Sequence, residues 1–99
     1  MIRHIVMMKF ADRVNWKTFA NETALKLNKL VLLVEPLNKM ETGINLSTRQ
    51  AAYDLVLTAD FEDEACLENY RIHPEHVKVL NYLQPLLEKS TVVDYLINN

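Results

Sequence analysis

The residue types best suited to chemistry are concentrated in one stretch, YRIHPEHV, at positions 70–77. His73 and Pro74 are typical of a helix boundary, because proline lacks the N–H that would have no partner in a first helical turn. His76 then lies near the positive end of the helix dipole, which favours a neutral imidazole able to accept a proton or polarise a carbonyl group. Tyr70, one turn and a bend earlier, supplies a hydroxyl that could hold a substrate oxygen.

A further imidazole, His4, lies in the first apolar stretch and faces the side of the predicted sheet that the helices cover. Together with Tyr70, His73 and His76 it could surround a cavity between sheet and helices that takes a small apolar molecule. The apolar residues predicted to line this cavity are Val6, Met8, Leu55 and Leu57.

Each polar candidate also has a structural interpretation, and the residues taken alone favour it. In that interpretation His73 caps a helix and His76 faces solvent, while Tyr70 is a core ring with a satisfied hydroxyl and His4 is a hydrogen-bonded strand residue. A zinc-type site built from the three histidines is disfavoured, because the sequence places no carboxylate beside them.

Composition limits the class of protein. The length of 99 residues predicts one domain over 1–99. The 11 basic and 13 acidic side chains give a net charge of −2, so no nucleic-acid partner is expected. The single glycine, Gly43, excludes phosphate loops that need several glycines. The single cysteine, Cys66, excludes an internal disulfide. No apolar run reaches the length of a membrane span and the first residues lack a signal-peptide core, so we expect no membrane partner and a cytoplasmic location.

The hydrophobic pattern predicts an α+β fold. Strands are expected over 2–10, 37–46, 51–61 and 91–97, and helices over 15–34 and 62–70 and from Pro74 onward. Asp12 or Asn15 is expected to cap the first helix and Pro36 to end it. In the last helix a kink or early end is expected near Pro85, and its apolar positions are Val77, Leu80, Leu83 and Leu87.

The order β-α-β-β-α-β is the split βαβ, or ferredoxin-like, arrangement, in which a four-stranded antiparallel sheet carries its helices on one face. The other face is predicted to be apolar rather than polar. At about 25 cal/mol per Å², burial of several hundred Å² would contribute several kcal/mol to association. We therefore expect a homodimer through the open sheet face, an eight-stranded dimeric α+β barrel. The residues predicted on that face are Ile5, Met7, Val56, Val92 or its neighbours, and Leu96.

Three segments resemble the stress-responsive A/B barrel (Dabb) family: the opening RHIVMMKF, the stretch ADFEDEACLENYRIHPEHVKV and the closing VVDYL. The most specific part is the HPxHV element that follows an aromatic residue, together with the terminal DY pair. The resemblance implies a homodimeric ferredoxin-like α+β barrel, which agrees with the pattern above. It also implies a type of activity, because a plant polyketide cyclase of this family closes a linear poly-β-keto thioester without a redox cofactor.

The resemblance implies roles for particular residues. The tyrosine and the second histidine that carry the cyclase chemistry match Tyr70 and His76, which implies His76 as the general base and Tyr70 as the orienting hydrogen-bond donor. His73 and His4 match two further histidines. Leu55 stands where the cyclase has another pocket histidine, so the identity of the substrate does not carry over.

The resemblance further implies a magnesium site. Some relatives hold this ion through main-chain carbonyl groups just past the first helix, at positions that match Val31, Val34 and Leu37. The last carbonyl groups of a helix have no partner within it and can face a hard cation. No organic cofactor is expected.

Three functions remain open at this point. The first is a cofactor-free proton-transfer enzyme, cyclase- or isomerase-like, acting on a small carbonyl or polyketide-like compound with His76 and Tyr70 as the working pair. The second is a noncatalytic, stress-associated ligand-binding protein in which the HPEH element is structural. The third, more remote, is a monooxygenase or haem-handling protein of the wider dimeric α+β barrel group.

Overall fold

A computed structural model describes residues 1–35 and 37–97. It confirms the predicted α+β fold, with a four-stranded antiparallel sheet and a helical layer divided at His73. The elements in chain order are β1 (Ile2–Phe10), α1 (Trp16–Leu33), β2 (Lys39–Ile44), β3 (Leu55–Phe61), α2 (Glu64–Ile72), α3 (Pro74–Leu83) and β4 (Leu87–Leu96).

The strands lie in the order β2-β3-β1-β4, so that β1 is central and β4 forms one edge. His4 lies opposite Ala59 of β3 and opposite Asp94 of β4. Residues that oppose each other in an antiparallel pair share a face of the sheet. This register therefore brings Asp94 beside His4 on the face that carries the helices, although 90 positions separate the two residues in sequence.

The helix α1 forms as predicted because its apolar residues recur at helical spacing and its ends have partners. The Asp12 carboxylate accepts hydrogen bonds from the backbone N–H groups of Val14 and Asn15 just before the helix. At the other end the Val34 N–H donates to the carbonyl of Leu30 at 2.8 Å. Asn15 is the N-cap residue, but its side chain makes no cap bond to the helix. Pro36, the predicted helix stop, lies outside the described residues.

Asp54 ties the end of β1 to the start of β3. Its carboxylate is buried and accepts from the Phe10 N–H at 2.8 Å and from two nitrogen atoms of Arg13 at 2.7 and 3.0 Å. Burial alone would raise the pKa of Asp54, but the hydrogen bonds from Arg13 and Phe10 bring it below the ordinary value.

The predicted register of the last helix is wrong in part. The side chains that α3 buries are His76, Val79 and Leu83, whereas Val77 and Leu80 are 38% and 46% exposed. The sequence pattern is compatible with two buried faces of α3, one with Val77 and Leu80 and one with His76 and Val79. The His73 cap and the burial of the His76 imidazole select the second face.

The predicted early end near Pro85 is confirmed, because α3 ends at Leu83. Leu86 then donates its N–H to the Leu83 carbonyl at 2.8 Å, which closes a turn. Leu87, predicted within the helix, instead opens β4 opposite Phe10. The edge strand is therefore longer than predicted, and it begins directly after the turn.

The open face of the sheet differs from the prediction at its edge strand. Ile5, Met7 and Val56 lie on it as expected, and of the alternatives Val92 or its neighbours it is the neighbour Val93 that does. Val92 and Leu96 oppose Val6 and Ile2 and therefore lie on the helix side, so the prediction for Leu96 is wrong. On the open face their places are taken by Val93 and Tyr95, which are 53% and 43% exposed.

The helices pack over β1, β2 and β3, and β4 is exposed along most of its length. This bare edge creates the cleft described below. In the part of the chain that the structure describes, none of the helices combines the length and the apolar character that crossing a membrane requires.

Candidate functional site

A cleft of about 610 Å³ lies between α2 and the helix-side face of β1 and β4. Its apolar floor comes from the start of β1 and the end of β4, which pair at the same end of the sheet, and its wall carries the charged side chains of α2. The residues that line it are Ile2, His4, Glu64, Leu67, Glu68, Arg71, Val92, Asp94, Tyr95 and Leu96.

An aspartate–histidine pair lies in this cleft. The Nδ1 atom of His4 is 2.5 Å from Oδ1 of Asp94. The imidazole is almost buried, whereas the carboxylate side chain is 43% exposed. A carboxylate accepts only, so Nδ1 carries the proton and Nε2 is the ring nitrogen left for another partner.

Tyr70 occupies the layer next to His4. It is fully buried, and its ring lies 5.1 Å from that of Phe61, 6.3 Å from His4 and 4.1 Å from His76, measured between centroids. In residues 1–35 and 37–97 its hydroxyl has no hydrogen-bond partner. Burial raises the pKa of Tyr70, so the phenol stays protonated and acts as a hydrogen-bond donor.

His76 presents an imidazole whose tautomer is fixed by the backbone. Its Nδ1 is 3.0 Å from the carbonyl oxygen of Arg71, which can only accept, so Nδ1–H donates and Nε2 keeps its lone pair. Burial lowers the pKa of His76, and the neighbouring charges of His4, Arg71 and His73 lower it further against the opposing effect of the Arg71 bond. The neutral imidazole expected from the helix dipole therefore has burial as its main cause.

His73 has the capping role considered from the sequence. Its Nδ1 accepts from the Glu75 N–H at 3.1 Å at the start of α3, and Pro74 follows at the first helical position. The structure thus brings His4, Tyr70 and His76 into one ring cluster and uses His73 to begin the helix that carries His76.

The four predicted apolar lining residues are divided between two places. Val6 and Met8 line a second groove of about 440 Å³ beside α3 and β4. Leu55 and Leu57 are buried in the core. Only His4 of the ring cluster lines the 610 Å³ cleft, so one enclosed chamber around all the predicted residues is not formed, and their contact with a ligand stays a prediction.

The carbonyl groups proposed to hold magnesium lie around the end of α1. Val34 donates its N–H to Leu30 and accepts from the Leu37 N–H at 3.2 Å. A carbonyl oxygen has a second lone pair, so this bond leaves the Val34 oxygen able to contact a hard cation. The donor set of Val31, Val34 and Leu37 is chemically suited to magnesium, and the site stays a prediction.

Sequence reasoning gave Asp94 no role in the site. The available signal was a carboxylate in the middle of the apolar β segment TVVDYLI. The partner of that carboxylate depends on the β1–β4 register, which the local pattern does not specify.

The comparisons with known proteins agree with this fold. Residues 2–97 match the family described as Stress responsive A/B Barrel Domain. Olivetolic acid cyclase from Cannabis sativa is 22% identical over an alignment 103 residues long, gaps included, that covers 95% of this chain and 94% of the cyclase.

Two solved structures show the same architecture. A dimeric protein of unknown function with a ferredoxin-like fold from Bacteroides fragilis gives a TM-score of 0.87 at 25% identity, covering 97% of this chain and 95% of that one. Hydroxynitrile lyase from Passiflora edulis gives a TM-score of 0.83 at 20% identity, covering 98% and 93%. With a fold of this kind and a family match over almost its entire length, the chain belongs to the stress responsive A/B barrel domain family.

Proposed function

We propose that this protein is a cofactor-free proton-transfer enzyme that acts on a small carbonyl compound with cyclase- or isomerase-like chemistry. The observation that carries the proposal is the buried Tyr70 hydroxyl, which lies beside His76 and has no partner in the described residues. Leaving such a group unsatisfied costs about 1–3 kcal/mol. A substrate oxygen that accepts from this hydroxyl accounts for its retention, and the similarity to a cyclase supports the same reaction class.

The roles follow from the state of each group. Nε2 of His76, with its lone pair free, takes a proton from the carbon next to the carbonyl group of the substrate. The electrons of the broken C–H bond move toward the carbonyl oxygen, and the Tyr70 hydroxyl donates a hydrogen bond to that oxygen. The resulting enolate then attacks a second carbonyl carbon in a cyclase, or is reprotonated at another carbon in an isomerase.

The cleft meets the ring cluster at His4, behind which Tyr70 and His76 lie, and its charges favour an uncharged substrate. Glu64, Glu68 and Asp94 line it with one guanidinium, that of Arg71, which Glu68 binds at 2.8 Å. A free carboxylic acid would meet an excess of negative charge there, whereas a thioester or ketone would not. Apolar residues of the floor complement the hydrocarbon part of such a molecule.

Turnover of a panel of β-keto N-acetylcysteamine thioesters, followed by liquid chromatography and mass spectrometry, tests the proposal. The wild type is expected to convert at least one member, and His76→Ala and Tyr70→Phe to lower kcat by about 10²–10⁴-fold. Tyr82→Phe is the matched phenol control, because Tyr82 donates to Glu22 at 2.8 Å outside the ring cluster. Absence of turnover by the wild type, or full activity of His76→Ala, would contradict the proposal.

A noncatalytic binding protein is the second candidate, and one observation favours it. Both histidines of the HPEH element make local bonds, His73 to the Glu75 N–H and His76 to the Arg71 carbonyl, as structural residues do. On this alternative Tyr70→Phe would weaken ligand binding, and no member of the panel would be converted.

We also propose that the protein is a homodimer whose two open sheet faces pack together. Ile5, Met7, Val56 and Val93 give this face its apolar character, and the Bacteroides fragilis structure is described as dimeric. A pair of such sheets would form an eight-stranded barrel with the clefts on its outer, helix-bearing sides.

A further inference from the structure

We infer that His4, oriented by Asp94, is a second proton-transfer group of the site and acts as the general acid toward the substrate carbonyl oxygen. The inference rests on the proposed function, in which His76 removes the proton from carbon. It adds the group that protonates oxygen, and it assigns Asp94 as a positioning residue.

Geometry places this pair where a bound molecule would meet it. His4 and Asp94 both line the cleft, whereas Tyr70 and His76 lie in the layer beside His4. The cross-strand register sets Asp94 opposite His4, and their side chains meet at 2.5 Å. The rings of Phe61 and Tyr70 pack edge-on against the His4 ring, with 6.4 and 6.3 Å between ring centroids, and further restrict its orientation.

The two imidazoles of the cluster have different partners, and this difference separates their roles. The Nδ1–H of His4 faces a carboxylate, which stabilises the imidazolium that a proton donor must be. The Nδ1–H of His76 faces a neutral carbonyl in a buried site that favours the uncharged base. The carboxylate partner therefore assigns the proton-donor role to His4, and the carbonyl partner assigns the base role to His76.

The step balances as follows. The C–H bond next to the carbonyl breaks and its proton goes to Nε2 of His76, while the electron pair forms the C=C bond of an enol. The carbonyl oxygen takes the proton from Nε2–H of His4, which becomes neutral and keeps its Nδ1–H on Asp94. His76 then gives up the proton that it gained and His4 takes up the proton that it lost, directly or through solvent, so the starting state is restored and no oxidant or reductant is needed.

Acetylacetone is a suitable probe because it is an enolisable diketone whose enol absorbs in the ultraviolet. The wild type is expected to raise the enol fraction on binding and to show perturbed ring nitrogen resonances at His4 but not at His73, by ¹⁵N NMR at pH 7. Asp94→Asn should weaken binding about tenfold, the loss expected for a charge-assisted bond, and abolish the perturbation at His4. Asp94→Glu, which keeps the carboxylate, should restore part of the affinity.

Glu88→Gln is the matched control, since it makes the same charge change on β4 outside the cleft, and it is expected to bind acetylacetone as the wild type does. On any thioester that the wild type converts, Asp94→Asn should lower kcat by a larger factor than it raises KM. No enol enhancement in the wild type, no response at His4, or equal affinity and kcat in Asp94→Asn would overturn the inference. Absence of thioester turnover with an intact acetylacetone response would count against the proposed function and leave the assignment of His4 standing.

Discussion

Tyr70 and Tyr82 are two phenols of one chain in opposite situations. Tyr82 donates its hydroxyl proton to Glu22 at 2.8 Å, whereas the Tyr70 hydroxyl is buried without a partner in residues 1–35 and 37–97. Tyr70→Phe should therefore leave the free energy of unfolding unchanged or raise it by about 1 kcal/mol, because the desolvated hydroxyl is removed. Tyr82→Phe should lower it by about 0.5–1.5 kcal/mol. Urea denaturation of both variants measures the two changes, and a loss above about 1 kcal/mol in Tyr70→Phe would show that the hydroxyl has a partner within the fold.

The lowered pKa of His76 makes stability depend on pH. In the folded protein the pKa of the His76 imidazole lies below its ordinary value of 6.5, so this imidazole stays neutral just below pH 6.5. The same side chain in the unfolded chain takes up a proton at that pH. The unfolded state therefore binds more protons, and acid favours it. The contribution of His76 is present above pH 6.5 and is lost as the pH falls below it.

We therefore expect the free energy of unfolding to fall less between pH 7.5 and 5.5 in His76→Gln than in the wild type, by urea denaturation at both pH values. Glutamine keeps an N–H donor for the Arg71 carbonyl. His73→Gln serves as the comparison. An identical pH dependence in the wild type and His76→Gln would contradict the assignment of a buried neutral imidazole.

For individual residues, the sequence predicted which side chains belong to the site better than it predicted their hydrogen-bond partners. Tyr70, His76 and His4 could be selected from their chemistry, and they do lie together. Asp94 could not be assigned, because its contact with His4 depends on strand pairing across 90 positions rather than on any neighbouring residue.

Among the elements, the junction of β1 with β3 depends on one carboxylate. Asp54 is buried and satisfies the Phe10 N–H and the Arg13 guanidinium together. Asp54→Ala should lower the free energy of unfolding by about 2–3 kcal/mol, because a buried N–H and a cation lose their acceptor.

Glu68→Ala is the control for this prediction, because the Glu68–Arg71 pair is exposed and lies within one helix. It should change the free energy of unfolding by less than about 1 kcal/mol. Guanidinium denaturation compares the two variants, and an equal effect of both would show that the Asp54 cluster has no special structural role.

Element boundaries were predicted well where local chemistry sets them and less well where packing sets them. The His73–Pro74 break and the end of α3 near Pro85 follow from the missing proline N–H. The buried stripe of α3 did not follow, because Val77 and Leu80 are as apolar as the residues that the core takes. They line the second groove instead.

For the whole molecule, Val92 and Val93 provide a test of the dimer. They are adjacent on β4 and almost equally exposed, at 52% and 53%, but they lie on opposite faces of the sheet. Val93→Glu should give a monomer at micromolar concentration, because it buries a charge in the proposed interface. Val92→Glu should remain a dimer.

Size-exclusion chromatography with light scattering distinguishes the two variants. Monomers in both, or dimers in both, would exclude the open face as the interface. The circular dichroism spectra should be unchanged, since both side chains are already half exposed in the protomer.

The two ends of the described chain meet beside the cleft. The Ile97 N–H donates to the Met1 carbonyl at 2.9 Å, and Ile2 and Leu96 are part of the cleft lining. A peptide fused before Met1, such as an affinity tag, would therefore begin beside the cleft and compete with a ligand for it in the manner of a tethered inhibitor. Ligand screens should therefore compare tagged with cleaved protein before a negative result is accepted.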